Sequence, residues 1–565
     1  MRTLQQKGFI AFLVMLLIAS LIPVAAFAAT AWAPNTAYKV NDYVSYNSVT
    51  YRCLQAHTSL VGWEPPNVPA LWTPDSSGGG TTPPPTDTQA PTAPTNLKST
   101  GVTSSTVSLS WTASTDNTGV TGYDVYRGTT LATTTSSTTA TVSGLTANTA
   151  YSFSVKAKDA AGNISAASNT VSVTTSTGTT TPPPTNPPTS GYKIVGYYPA
   201  WATYGRNYNI VDIDASKLTH INYAFANIAN GEIVVGDTYA DTDKAFPGDC
   251  WDTGCKRGNF NQLTKLKQQY PHIKTLISVG GWTWSAGFSD AALTDASREK
   301  FANSAVNFVR TWGFDGVDLD WEYPVGGGLQ NGRPEDKQNF TLLLAKIRTK
   351  LDAASATDGK KYLLTIASGA SANYVANTEL GKVKDYVDWI NIMTYDFHGG
   401  WDTISGHNSP LYFDPADPST NASTFNVQAG VQGHLNAGVP ASKLVMGMPF
   451  YGRGWTGCNT TGNGQYQSCT GVAKPGTWED GSFDFYDLEA NYINKNGYTR
   501  YWNNTAKVPF LYNPTNKTFI SYDDVESFGY KTSFLKSKGL AGAMFWEVSG
   551  DRNRTLLTKL YNDLK

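Results

Sequence analysis

The chain has 565 residues, 43 basic against 44 acidic, so it should span several domains and offers no electrostatic footprint for nucleic acid or an anionic membrane. Charged residues make up only 15%, while aromatics reach 12%, with 16 Trp and 31 Tyr. Flat apolar faces with a polar edge suit a sugar ring, although most of these rings are expected in cores.

Residues 1–28 have the form of an export signal: Arg2 and Lys7, an apolar stretch over 9–22, then a small-residue cleavage site at Ala26-Phe27-Ala28. The stretch is short for a membrane span, so a secreted, extracellular protein without membrane attachment is expected. Gly, Thr and Pro tracts within 75–87 and 176–190 read as extended, semi-rigid linkers. They leave three parts, 29–74, 88–175 and 191–565.

Residues 29–74 carry Trp32, Tyr38, Tyr43, Tyr46, Tyr51, Trp63 and Trp72, more aromatics than so small a core needs. Segments 43–46 and 49–51 alternate around Asn47-Ser48 like a hairpin. Trp32 and Trp72 are expected inside. Trp63, between Gly62 and Glu64-Pro65-Pro66, is expected to point outward from a loop. AWAPNTAY (31–38), VSYNSVTYRCLQAHTS (44–59) and GWEPPNVPALW (62–72) closely resemble the family 5/12 carbohydrate-binding modules that attach chitinases to crystalline chitin. The resemblance implies that Trp63 is the main chitin-contacting residue.

Residues 88–175 alternate in polarity over 107–111, 122–126, 140–142 and 151–155, as half-buried sandwich strands do. This part looks like a fibronectin type III domain, with Trp111, Leu145 and Tyr151 at its core positions. It offers no acid pair, His or Cys for chemistry, so a spacer is the expected role.

From 191 onward, apolar runs recur at 194–198, 218–228, 273–282, 314–322, 362–369, 387–397, 444–451 and 540–548. Between them, segments such as 297–312 and 335–351 have helical spacing. Eight buried runs alternating with helices predict a (β/α)₈ TIM barrel over 191–565, and an open doubly wound sheet lacks its Gly-rich phosphate turn here. The stretch 456–521 is too long for a connection and is expected to form a small α+β insertion beside a cleft. Cys250 and Cys255 share one loop and Cys458 and Cys469 another. Local disulfides are expected; zinc is the alternative, without a His at ligand spacing. Cys53 is left over.

Within 314–323, strand parity points Asp318, Asp320 and Glu322 to one face, with Glu322 at the C-terminal end where barrel sites form. Crowded carboxyls raise one another's proton affinity, which keeps an acid protonated near neutrality. A metal-binding acidic cluster is the alternative. An ordinary retaining glycosidase needs a second carboxylate, and only Asp396 offers one at another strand end. The pattern therefore suggests substrate assistance, in which a 2-acetamido oxygen attacks the anomeric carbon.

The segments DGVDLDWEYP (315–324), SVGG (278–281), MTYD (393–396), FYGR (450–453) and MFWE (544–547) strongly resemble the family 18 glycoside hydrolases, the chitinase family, across 191–565. The resemblance implies a chitinase with Glu322 as acid and then base. It also implies that Asp320 would hold the acetamido group, that Asp318 would share a proton with Asp320, and that Tyr395 would donate to the acetamido oxygen. By the same resemblance Met393, Asp396 and Arg453 would line the site, Trp546 would form its floor, and Tyr197 and Ser278 would support Asp318; Phe225 is expected beside the site. Trp282, Trp284 and Trp401 line the cleft or pack in loops. The blander readings are a tight strand end for Ser278-Val-Gly-Gly, core for Met393 and an ion pair for Arg453. Asp315, His220 and His398 read as structural. No cofactor or metal is called for, and the expected partners are chitin and chito-oligosaccharides acted on by a monomer. A glycoprotein-cleaving relative and a non-catalytic lectin are the alternatives; the second should lack the acid at Glu322.

Overall fold

The computed structural model describes residues 30–74, 87–175 and 191–565, apart from 48, 61, 103–105, 147, 251 and 253. The export signal and nearly all of both linkers lie outside these residues. The chain divides into two compact units, up to residue 178 and from residue 179.

In the first unit, residues 30–74 form a sheet of Thr30–Ala31, Tyr43–Tyr46, Val49–Cys53 and Trp72–Pro74. Its core is Tyr38, Val44, Tyr51, Cys53 and Trp72, with Trp32 packed edge-on to Tyr46 at its margin. Trp72 is 1% exposed and Trp63 38%, so Trp72 lies inside as expected and Trp63 turns outward from its loop. Cys53 is a free, buried thiol.

Residues 95–174 form two antiparallel sheets, one of four strands and one of three. Trp111, Tyr123, Val125, Phe153 and Val155 fill the space between them, with Leu145. Tyr151 sits at the rim, where its hydroxyl accepts the Thr146 N–H.

The second unit is a closed barrel. Its strands are β1 (Lys193–Pro199), β2 (His220–Ala229), β3 (Lys274–Gly280), β4 (Gly316–Asp320), β5 (Leu363–Gly369), β6 (Trp389–Met393), β7 (Leu444–Pro449) and β8 (Gly542–Trp546). Neighbours run parallel in chain order, and β8 pairs with β1 to close the ring. Alternation sorts each strand's residues between two cores. Val195, Leu276, Trp389, Val445 and Met544 fill the interior. Ile277, Val317, Leu319, Ile366 and Ile390 face the surrounding helices, against Phe301, Phe340 and Leu343. Both faces are buried, so the strands read as near-continuous apolar runs.

The helices start and stop where local chemistry dictates. Asp295–Trp312 opens on a Thr294–Ser297 capping box and closes on Gly313, whose φ of 76° lies in the left-handed region. After β7 the chain enters an antiparallel sheet of Tyr451–Thr456, Gly471–Val472, Ser482–Asp484, Thr499–Asn503, Val508–Asn513 and Thr518–Ser521. Its first strand thus follows β7 almost directly, which sets Arg453 at the barrel mouth. Disulfides join Cys250 to Cys255 and Cys458 to Cys469.

Candidate active site

The acids of β4 stand in a row of graded depth. Asp318 is fully buried, and four donors fill its lone pairs: Tyr197 Oη at 2.7 Å and Ser278 Oγ at 2.8 Å on Oδ2, Thr365 Oγ1 at 2.5 Å and Asn391 Nδ2 at 3.3 Å on Oδ1. Burial raises the Asp318 carboxyl above its ordinary range, and these four donors pull it back. Asp320 is 4% exposed, and its Oδ1 is buried without a hydrogen-bond partner. Burial, then the Glu322 and Asp318 charges, holds its carboxyl well above the usual range. Glu322 lies two residues beyond the last residue of β4 and is only partly buried. Burial, opposed by the Tyr323 hydroxyl and reinforced by Asp396, pushes it up to about 7.

Around this row the other strand ends converge. Tyr395 follows β6, and its hydroxyl makes only a weak 3.6 Å contact, to Met544 Sδ. Asp396 turns the chain with φ 57°, a conformation Asp tolerates better than most residues, and its N–H donates to Asn408 Oδ1. Its carboxylate accepts Arg453 Nε at 2.8 Å. The Arg453 guanidinium lies over the rings of Trp401 and Tyr451 at 5.3 and 5.1 Å, so it is at once an ion-pair partner and a wall of the mouth. Trp546 ends β8, stacked on Phe225 at 5.8 Å and tilted 5.7 Å from Tyr197, with Trp201 6.2 Å away.

The structure therefore gathers Glu322, Asp320, Asp318, Tyr395, Tyr197, Ser278, Phe225, Asp396, Arg453 and Trp546 at one end of the barrel. Met393 belongs to the interior packing that surrounds Tyr395 and Trp546. Trp282 and Trp401 stand 47% and 60% exposed at the ends of β3 and β6, whereas Trp284 packs over the Gly236 backbone. His220 lies against Trp389, 4.6 Å away, and its neighbour Thr219. Asp315 is tied to Lys267 and to the Thr275 N–H, away from the row. Thr365 and Asn391 escape the sequence reading. Their signal is a lone polar residue at an inward position of an apolar strand, in Leu-Leu-Thr-Ile-Ala and Trp-Ile-Asn-Ile-Met. With all four acceptor sites of Asp318 occupied, no hydrogen bond joins it to Asp320 in this arrangement; a shared proton requires one donor to yield.

The carboxylates of Asp87, Asp116 and Asp159 also come together, at the start of and within the second module rather than at the barrel. A recess is lined by Tyr323, the residue after Glu322, with Gly326, Ser371, Asn373, Asn421 and Phe425.

Comparison with known proteins follows the same division. The model of the family described as "Glycosyl hydrolases family 18" matches residues 193–551, "Carbohydrate-binding module family 5/12" matches 31–73, and "Fibronectin type III domain" matches 92–174. Chitinase A1 of Niallia circulans is 66% identical over 409 residues, 66% of this chain and 58% of the relative, so the chain spans less than two thirds of that protein. Chitinase C of Streptomyces lividans is 39% identical over 481 residues, 82% of this chain and 73% of the relative. Among solved structures, Chitinase ChiA74 from Bacillus thuringiensis is 51% identical with a TM-score of 0.64, covering 66% of this chain and 69% of that one.

Proposed function

The chain belongs to glycosyl hydrolases family 18, and from this premise we propose that it is a secreted chitinase, hydrolysing β-1,4-linked N-acetylglucosamine polymers with retention through assistance by the substrate's own acetamido group. The observation that carries the reading is Asp320 Oδ1, a buried acceptor without a partner, on the same face as a half-buried acid held near neutrality. An acetamido N–H supplies the missing donor. Asp320 then orients the amide and stabilises the oxazolinium ion as its carbonyl oxygen attacks the anomeric carbon. Tyr395, whose hydroxyl otherwise makes only a weak hydrogen bond to a thioether, donates to that oxygen. Glu322 protonates the departing glycosidic oxygen and afterwards takes a proton from the attacking water. Trp546 forms the floor beneath the sugar, flanked by Phe225.

Asp396, held to Arg453, is engaged as an ion-pair partner, which supports its role as a wall rather than a nucleophile. Chitin adsorption through Trp63 and export through residues 1–28 belong to the same reading. Among the described residues, no helix is long and apolar enough to cross a membrane. The test is Glu322→Gln. Hydrolysis of colloidal chitin should fall by roughly 10²-fold or more, the scale of a lost general acid–base. In the parent, kcat/KM should decline as pH rises through about 7, where Glu322 loses its proton. A Glu322→Gln protein as fast as the parent would end the proposal.

A further inference from the structure

The last ladder pair of β4 joins Asp320 to Gly280, so Trp321 and Glu322 extend beyond the sheet. A general acid so placed needs another anchor, because a misplacement of about 1 Å costs on the order of a hundredfold in rate. The anchor is a single hydroxyl. Ser285 Oγ accepts the Glu322 N–H at 2.9 Å, and its own hydrogen is shared between the carbonyl oxygens of Gly281 at 2.9 Å and Asp320 at 3.1 Å. The hydroxyl of Ser285, a residue only 2% exposed, thus spans the peptide units on either side of Trp321, between the residue that would hold the acetamido group and the residue that would donate the proton.

The chain is built to bring that oxygen there. Gly280 and Gly281, with φ of 101° and 76°, turn β3 directly into the helical turn Gly281–Trp284, which leads to Ser285. A Cβ at Gly280 would meet Asp320 O at 2.5 Å, and one at Gly281 would meet the Phe225 ring at 2.7 Å, so neither position accepts a side chain. On the other side, Gly328 approaches the Glu322 carbonyl so closely that a Cβ there would lie 2.2 Å from it. The Glu322 backbone is held from both directions.

We propose that Ser285 is a positioning residue for the general acid: through the Glu322 N–H it sets where the carboxyl meets the glycosidic oxygen. The inference rests on the assignment of Glu322 above. Its rival is a purely local role, since the bond to Gly281 O is also the back-bond by which a serine steadies its own turn. The two differ in what they do to the chemistry.

The full chain with Ser285→Ala is assayed on a chito-oligosaccharide and on an aryl chito-oligoside whose acidic phenol departs with little protonation. Misplacement of the acid lowers kcat/KM on the oligosaccharide by about thirtyfold and on the aryl glycoside by less than about threefold. Ser285→Cys, which fits the same space with a weaker and longer acceptor, falls between parent and Ala on the oligosaccharide. It carries the test if the alanine variant does not fold. Equal losses on both substrates, or a lower melting temperature with parental kcat/KM, overturn the proposal. Glu322→Gln run beside them separates the failures. If it stays active, the acid itself is misassigned; if it is dead while Ser285→Ala is unaffected, only the positioning role falls.

Discussion

The loop after β6 carries a charge clamp whose strength can be worked out. His398 is 5% exposed, with Nδ1 3.1 Å from Asp402 Oδ2 and Nε2 3.3 Å from Asp417 Oδ2. Burial alone would lower its proton affinity, but the two carboxylates more than offset this and push it up to about 9 from 6.5. A folded value above the unfolded one means that the clamp contributes fully below about pH 6.5 and is lost as pH rises through about 9. At about 1.4 kcal/mol per unit, the contribution is about 3 kcal/mol. His407 stays neutral in this window, because burial and the His398 charge hold it at about 3. His398→Gln should therefore lower stability most at pH 6, with the parent–variant gap shrinking by about 3 kcal/mol on going to pH 10. Urea unfolding followed by tryptophan fluorescence and residual activity reads this directly. A gap that stays flat over that range refutes the clamp. The same loop presents Trp401, whose turn is closed by the Gly399 N–H donating to Asp402. Loss of the clamp should therefore raise KM for long oligomers more than it lowers kcat.

Two further outcomes follow from single contacts. Trp63→Ala removes an exposed indole, and adsorption to crystalline chitin should weaken by about tenfold while short soluble oligomers are cleaved at the parental rate; unchanged adsorption removes the role of that ring. Lys531 and Asp523 form an ion pair with both side chains fully buried, and Lys531 also donates to Ser409. Lys531→Met strands the carboxylate and should cost about 3–5 kcal/mol in thermal unfolding, most of it recovered by adding Asp523→Leu; a loss under about 1 kcal/mol in the single variant would contradict this.

The barrel was readable because strands buried on both faces leave apolar runs, and the helices between them leave a different period. The row of acids was readable from parity alone, since Asp318, Asp320 and Glu322 alternate with Val317, Leu319 and Trp321. What parity could not tell is that β4 stops at Asp320, because a ladder ends where its neighbours end and not where its own alternation does. Thr365, Asn391 and Ser285 stayed hidden for a related reason. Each is an ordinary polar residue whose partner lies 37 to 73 positions away in the chain, and only closure of the sheet brings them together. Arg453 shows the converse: the sequence offers an ion pair or a place in the site lining, and the guanidinium pairs with Asp396 while lying over the Trp401 ring.

Asp318 takes its donors from β1, β3, β5 and β6, which makes it a gauge of assembly as much as a member of the site. The Tyr197 hydroxyl comes from the first strand, which is hydrogen-bonded to the eighth. On its other side that strand pairs with β2, so the four donors converge on Asp318 only when strands on both sides of β4 are in register. On the proposed function, hydrolysis would then report the register of four strands at once, where a spectroscopic signal from helices or strands reports only local order.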